Sequence, residues 1–175
     1  MKKYIWSIVV LLTMIGCGQS TENRVVSTED KVVSTENEGI GVQMLETLNQ
    51  QGLSLLIYND STLTTHDNRG VRDLLTLVAT QPERLQGAIV ADKIIGKAAA
   101  ALMATGGVVE VHTNIICTPA RELLEREGIR VYATQEVPQI LNRDKSHMCP
   151  IDSQLEGIES IEECVQILQN IPPVI

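Results

Sequence analysis

The sequence predicts a three-layer α/β/α sandwich around a mixed sheet of about five strands. Three observations point there. Two short β-prone runs flank Asn59-Asp60-Ser61 and read as a hairpin, strand-like and helix-like patterns alternate after it, and Gly or Pro marks most boundaries. Phenylalanine is absent, with only three tyrosines and one tryptophan, so the core must be built from Leu, Ile, Val and Ala.

The elements follow in order. Ile40 to Gln51 places Met44, Leu45 and Leu48 at helical spacing and stops at Gly52. Leu53 to Tyr58 is a strand, and a second strand lies near Thr62 to Thr65. Val71, Leu74, Leu75 and Val78 recur with helical period until Gln81-Pro82. Ala88 to Ala91 is a short apolar strand, after which Gly96 opens an alanine-rich helix through Ala104, closed by Gly106-Gly107. Val108 to Thr113 with Ile115-Ile116 is the next strand. Thr118 is the expected N-cap of the following helix, with Pro119 at its first position and Gly128 at its end. Ile129 to Ala133 is the last strand, followed by an irregular polar stretch from Gln135 to Gly157. Ser160 with Glu163 forms a capping box for a final helix carrying Ile161, Cys164, Val165 and Leu168.

The first residues belong to a different physical class. Lys2 and Lys3 precede an apolar run from Ile5 to Ile15, which ends at Met14-Ile15-Gly16-Cys17. A membrane-spanning helix needs about 20 apolar residues, and this run is shorter, so a cleaved export signal is expected. Met14-Ile15-Gly16-Cys17 resembles the lipobox of bacterial lipoproteins. That resemblance implies cleavage before Cys17, lipidation of Cys17, and a membrane as partner in the cell envelope. Residues 1–16 are then the signal, 17–38 a flexible Ser/Thr/Glu-rich tether, and 39–175 the domain. The tether holds a short repeat, Val25-Val26-Ser27-Thr28-Glu29 and Val32-Val33-Ser34-Thr35-Glu36, and lacks the apolar content to offset its ordering entropy.

Charge and cysteine content narrow the function classes. Losing Lys2 and Lys3 would take the formal net charge from −8 to −10. With no basic patch and few aromatics, nucleic acid is not an expected partner. Cys117, Cys149 and Cys164 are odd in number, so at least one thiol is unpaired within the chain. No C-x-x-C spacing occurs, and His66, His112 and His147 are scattered. No structural metal or cofactor is expected.

Three stretches carry a family resemblance. They are Ala91-Asp92-Lys93-Ile94-Ile95-Gly96-Lys97-Ala98-Ala99-Ala100, Gly128-Ile129-Arg130-Val131, and Val137-Pro138-Gln139-Ile140-Leu141-Asn142-Arg143-Asp144 followed by Cys149-Pro150. Through them the core from Gly52 to Asp152 resembles the bacterial domain-of-unknown-function family number 1893. The resemblance implies a cytidine-deaminase-like fold with a mixed five-stranded sheet. Zinc deaminases need a His or Cys ligand beside Glu at one helix start and P-C-x-x-C at another. Gly96-Lys97-Ala98-Ala99 has neither ligand nor glutamate, and Ile116-Cys117-Thr118-Pro119-Ala120 keeps one cysteine. Standard zinc deamination is therefore not expected.

What remains is a set of polar groups at strand ends and in the long loop. Asp92 and Lys93 are expected just after their strand, with Gly96 and Lys97 at a helix start whose amides suit an anion. Asn142, Arg143, Asp144, His147 and Cys149 form the second cluster. One reading gathers Asp92, Lys93, Gly96, Lys97, Asn142, Arg143 and Cys149 around a small-molecule cleft. A second makes Cys149 the nucleophile of a zinc-independent hydrolase or transferase, with Asp92 or His147 moving the proton. A third makes the domain an envelope scaffold that binds protein. Cys117 and Cys164 fall at core positions, and a buried structural thiol fixed by Pro150 is the preferred reading of Cys149.

Overall fold

The computed structural model describes residues 28–68 and 71–171. Its elements are α1 (Thr28–Gln51), β1 (Leu55–Asn59), β2 (Thr62–His66), α2 (Arg72–Thr80), β3 (Ile89–Ile95), α3 (Lys97–Gly106), β4 (Glu110–Cys117), α4 (Thr118–Arg126), β5 (Arg130–Val137), α5 (Pro150–Ser153) and α6 (Ile161–Gln169). They form the expected mixed five-stranded sheet, in the order β2-β1-β3-β4-β5. The β1 strand runs antiparallel to both β2 and β3, whereas β3, β4 and β5 are parallel.

Helices cover the two faces unequally. On one face, Leu74 and Leu77 of α2, Ala98 to Met103 of α3, Leu123 and Leu124 of α4, and Cys164, Val165 and Leu168 of α6 pack with Val90, Val111 and Ile116 of the sheet. Four consecutive alanines, Ala98 to Ala101, are all buried, and their small side chains let α3 contact α2, α4 and α6 at once. On the other face α1 stands alone, with Met44 and Leu48 on Leu56, Ile89 and Ala91. Fully burying a leucine such as Leu48 or Leu56 contributes about 1.5–3 kcal/mol.

Several boundaries differ from the sequence expectation. The first helix begins at Thr28 rather than Ile40, so its leading turns run into the segment read as tether, while residues 1–27 lie outside the described residues. The β3 strand continues to Ile95, which places Asp92 and Lys93 within the strand rather than after it. Pairing of Asp92 with Thr113 and of Ile94 with Ile115 on β4 carries the strand past the apolar run. The β5 strand likewise runs to Val137 because Ile116 and Cys117 pair with Glu136 and Val137. Cys117, not Thr118, is the N-cap of α4, and the Thr118 hydroxyl donates instead to Glu136 Oε1 at 2.8 Å. At α6, Ser160 Oγ accepts from the Glu163 amide at 3.2 Å, the expected half of a capping box, and Ser160 Oγ also donates to Glu162.

Candidate functional site

The carboxyl ends of β3 and β4 are where an open α/β sheet usually carries its site. Here the chain fills that place itself. Pro150 starts the short α5, which carries Asp152 to the first turn of α3, where Oδ1 accepts the Ala98 amide hydrogen at 3.0 Å. A Cβ on Gly96 would stand 2.0 Å from Asp152 Oδ2, so only glycine admits this approach. Lys97 Nζ donates to the carbonyls of Leu155, at 3.0 Å, and Ile158. The amides that could receive an external anion are thus answered by an internal carboxylate, and Lys97 pins the chain after α5.

The electrostatics of this cluster are those of a closed interior. Burial pushes the Asp152 carboxyl above its ordinary value, opposed by the amides of Ala98 and Lys97 and by the Lys97 charge. Burial also pushes the Cys117 thiol up, against the amides of Ala120 and Lys97. A buried thiol held in that direction is a poor nucleophile at neutral pH. Among the described residues no group of three or more His, Cys, Asp or Glu is placed to hold a metal ion. One cysteine and an acid already committed to α3 do not fit the zinc site that a deaminase-like fold implies.

The residues expected from sequence do not share one cleft. Asp92 lies on β3 between Leu55 and Thr113, its Oδ1 accepting from the Ile94 amide at 3.1 Å. Burial pushes its carboxyl up to about 7, although the residue keeps some surface. Lys93, its neighbour in the strand, is half-buried. Asn142, Asp144, Ser146 and His147 satisfy one another within their own loop: Asn142 Oδ1 accepts the Ser146 and His147 amides, Asp144 Oδ1 the Ser146 hydroxyl, and Ser146 Oγ contacts His147 Nδ1 at 2.7 Å. Arg143 is exposed and has no ion-pair partner among the described residues, so it forms no pair with Asp144. Cys149 caps α5, its amide donating to the Ile140 carbonyl at 2.8 Å, and its thiol is free. Cys117 and Cys164 are free and buried.

A different constellation escaped the sequence reading. Glu110 and His112 alternate along β4 and face α1, Glu110 fully buried and His112 2% exposed. His112 Nε2 lies 2.8 Å from Glu110 Oε1. Arg130 Nε and Nη2 hold the other oxygen, Oε2, at 2.9 and 2.8 Å. Sheet register makes these contacts, because Glu110 pairs with Arg130 and His112 with Tyr132. The rings of His112 and Tyr132 stack with centroids 4.6 Å apart. Burial alone would raise the Glu110 carboxyl, yet the bonds from His112 and Arg130 outweigh it and hold the acid below its usual value. The signal for this cluster was a glutamate and a histidine two residues apart within an apolar strand, a pattern that puts both on one face.

His112 and Tyr132 of this cluster line a groove. Because α1 covers only part of its sheet face, a cavity of about 550 Å³ remains between α1 and β4–β5. Val42, Leu45, Glu46 and Asn49 line it from α1, and His112, Asn114, Tyr132 and Thr134 from the sheet. Asn49 and Asn114 bond reciprocally at its side, at 3.2 and 2.7 Å. Arg121 also lines it and is held by Glu125 at 3.0 Å and Glu136 at 2.8 Å. A smaller cavity of about 440 Å³ lies among Ala104, Glu127, Ile161 and Val165 on the opposite side. Neither cavity is lined by Asp92, Lys97, Arg143 or Cys149.

Comparison with known proteins agrees with the fold. The chain is similar to a crystal structure of a DUF1893 family protein (TM1506) from Thermotoga maritima, with a TM-score of 0.66 and 26% sequence identity over 73% of this chain and 86% of that one. No curated protein matches it. Residues 43–171, which run from the middle of α1 to the end of α6, match the family model TM1506, described as a domain of unknown function (DUF1893). With that match spanning most of its length, the chain belongs to the DUF1893 family.

Proposed function

We propose that this is an exported, lipid-anchored envelope protein whose domain binds a small molecule in the groove between α1 and the β4–β5 face. The address is supported by the Lys2-Lys3 start, the apolar run to Ile15 and the Gly16-Cys17 junction. The binding reading is carried by one observation: a cavity of about 550 Å³ lined by His112, which buried Glu110 holds from behind, and by the apolar Val42 and Leu45. Ligand pockets have this size and mixture of apolar lining with a few fixed polar groups.

A degenerate, zinc-free relation to deaminases is the fold reading we attach to it. The hairpin-first mixed sheet supports that reading, as does the convergence of the α3 and α4 N-termini beside Cys117, where Asp152 now sits. The alternative of a zinc-independent hydrolase or transferase built on Cys149 gains no support from the geometry. Cys149 sits at the N-cap position of a one-turn helix without a side-chain capping bond, and the Nδ1 of His147 is engaged with Ser146.

A thermal-shift screen of the full chain in detergent, with nucleosides, nucleotides, sugars, sugar phosphates and amino acids, tests the reading. A ligand at a hundredfold excess over its Kd stabilises by about 2.7 kcal/mol. At least one member is expected to stabilise the protein, and Val42→Trp, which fills the groove, is expected to abolish the shift. If no member stabilises, or the shift survives Val42→Trp, the groove is not the ligand site and the scaffold reading takes its place.

A further inference from the structure

We infer that His112 is the proton-accepting residue of this groove, its Nδ1 receiving an N–H or O–H from a small non-phosphorylated ligand, with Glu110 and Arg130 as positioning residues. The inference rests on the reading of the groove as a ligand site and adds the acceptor atom and the ligand chemistry.

Four constraints fix the imidazole. Its Nε2 is tied to Glu110 Oε1 at 2.8 Å, and because a carboxylate only accepts, Nε2 is the protonated nitrogen and Nδ1 the acceptor of the neutral ring. Glu110 cannot turn away, since two nitrogens of Arg130 hold its second oxygen. The Tyr132 ring lies nearly parallel to the imidazole, at 17°. On α1, Gly41 sits so close that a Cβ there would stand 2.0 Å from His112 Nε2. A ring so enclosed does not reorient, which is how a carboxylate orients a histidine for proton exchange or ligation.

The remaining nitrogen is unanswered. His112 lines the groove, and Nδ1 has no hydrogen-bond partner among the described residues. Nδ1 is not sealed from the groove, so a ligand donor entering there can take the place of water at this oriented acceptor.

The other lining groups define what that donor belongs to. Glu46 supplies acceptor oxygens, Asn49 and Asn114 are bonded to each other, and Val42, Leu45 and Tyr132 supply apolar surface. Among the described lining residues Arg121 is the single cation, and Glu125 and Glu136 already hold it. The chain carries a formal net charge of −8. A phosphorylated ligand would enter an acidic surround with no free cation to meet it, whereas a neutral or cationic molecule bearing N–H or O–H groups beside an apolar face fits every wall.

Diethyl pyrocarbonate tests the acceptor without a known ligand. A neutral imidazole nitrogen attacks its carbonyl carbon, an N–C bond forms, and a C–O bond breaks. Ethyl carbonate leaves and decomposes to carbon dioxide and ethanol, and the ring loses its other N–H proton to solvent. The full chain in detergent is treated at neutral pH, and peptide mass mapping follows His66, His112 and His147 over time. His112 is expected to react within about tenfold of the rate of exposed His147 despite its burial, and Val42→Trp to slow His112 by at least about tenfold while leaving His147 unchanged. Either of two results overturns the inference: His112 intact when His147 is consumed, or His112 reacting equally fast in Val42→Trp. A second readout is the ring tautomer by long-range proton–nitrogen NMR, where a proton on Nδ1 would also overturn it. Failure of the ligand screen with His112 reactive would sink the groove as a natural ligand site and leave the acceptor assignment intact.

Discussion

Asp152 stands 54 residues from Ala98 in sequence and accepts its amide hydrogen at 3.0 Å, an N-cap supplied by another element. The bond stabilises the start of α3 and docks α5 against it. Replacing Asp152 by alanine leaves a buried helix amide unanswered and is expected to cost about 1–3 kcal/mol in urea denaturation. Asp152→Asn keeps an acceptor oxygen and removes a charge that burial opposes, so it should lose less than the alanine variant. Equal stability of all three proteins would show that the contact contributes nothing.

Asp92 makes stability fall with rising pH. Its carboxyl, normally near 3.8, is raised to about 7 by burial, against the amides of Ile94 and Lys93 and the charge of Lys93. A group whose folded pKa is raised contributes stability that is fully present below its unfolded pKa and is lost as pH rises through the folded one. The window therefore runs from about pH 4 to about pH 7. Asp92→Asn cannot ionise and should show a flatter stability profile across that window, ending more stable than the parent above it. Parallel profiles for the two proteins would remove Asp92 as the cause.

Glu110 works in the opposite direction. Burial raises it, but the bonds from His112 and Arg130 prevail and hold it below 4.5. A depressed carboxylate contributes stability that is present above the unfolded value and is lost as pH falls through the folded one, so the loss lies on the acid side of 4.5. Arg130→Met removes two charge-assisted bonds from a fully buried acid. It should lower stability at neutral pH by about 2 kcal/mol and blunt the acid limb, since Glu110 would protonate earlier. Denaturation midpoints from pH 3 to 7 would show both effects, and an unchanged acid limb would exclude Glu110 as its source.

What was legible in the sequence follows the range of each interaction. The hairpin was local: Asp60 and Ser61 take positive φ, as a tight two-residue turn demands, and neighbouring β-prone residues mark the strands. The α3 helix was legible from its alanines and its glycine ends. The ends of β3 and β5 were not, because Asp92, Lys93, Gln135 and Glu136 read as loop until the pairing with β4 holds them in the sheet. Polar density misled in the 142–149 loop, whose side chains mostly satisfy one another. Conversely, nothing in the strand Ile129 to Ala133 marks Arg130 out, and only the register that sets it opposite Glu110 brings it to that buried acid. Lys97 was read as free to meet a ligand, and the carbonyls of Leu155 and Ile158 that engage it lie about sixty residues away.

Gly41 offers the sharpest mutational test, because propensity and packing predict opposite signs. In a helix interior, Gly→Ala normally stabilises by about 0.5–1 kcal/mol. Here the new Cβ would lie 2.0 Å from His112 Nε2, 2.1 Å from Cδ2 and 2.5 Å from Cε1. The ring cannot retreat, since Glu110 holds its Nε2 and Tyr132 stacks on it. The α1 helix must therefore lift from the sheet, and Gly41→Ala should destabilise by about 1–3 kcal/mol. His112→Ala creates room at the same spot, so the penalty of Gly41→Ala should vanish or reverse in that background. The expected coupling in the double-mutant cycle is about 1–3 kcal/mol. Additive effects would mean that α1 does not rest on the imidazole, and a stabilising Gly41→Ala in the parent would say the same directly.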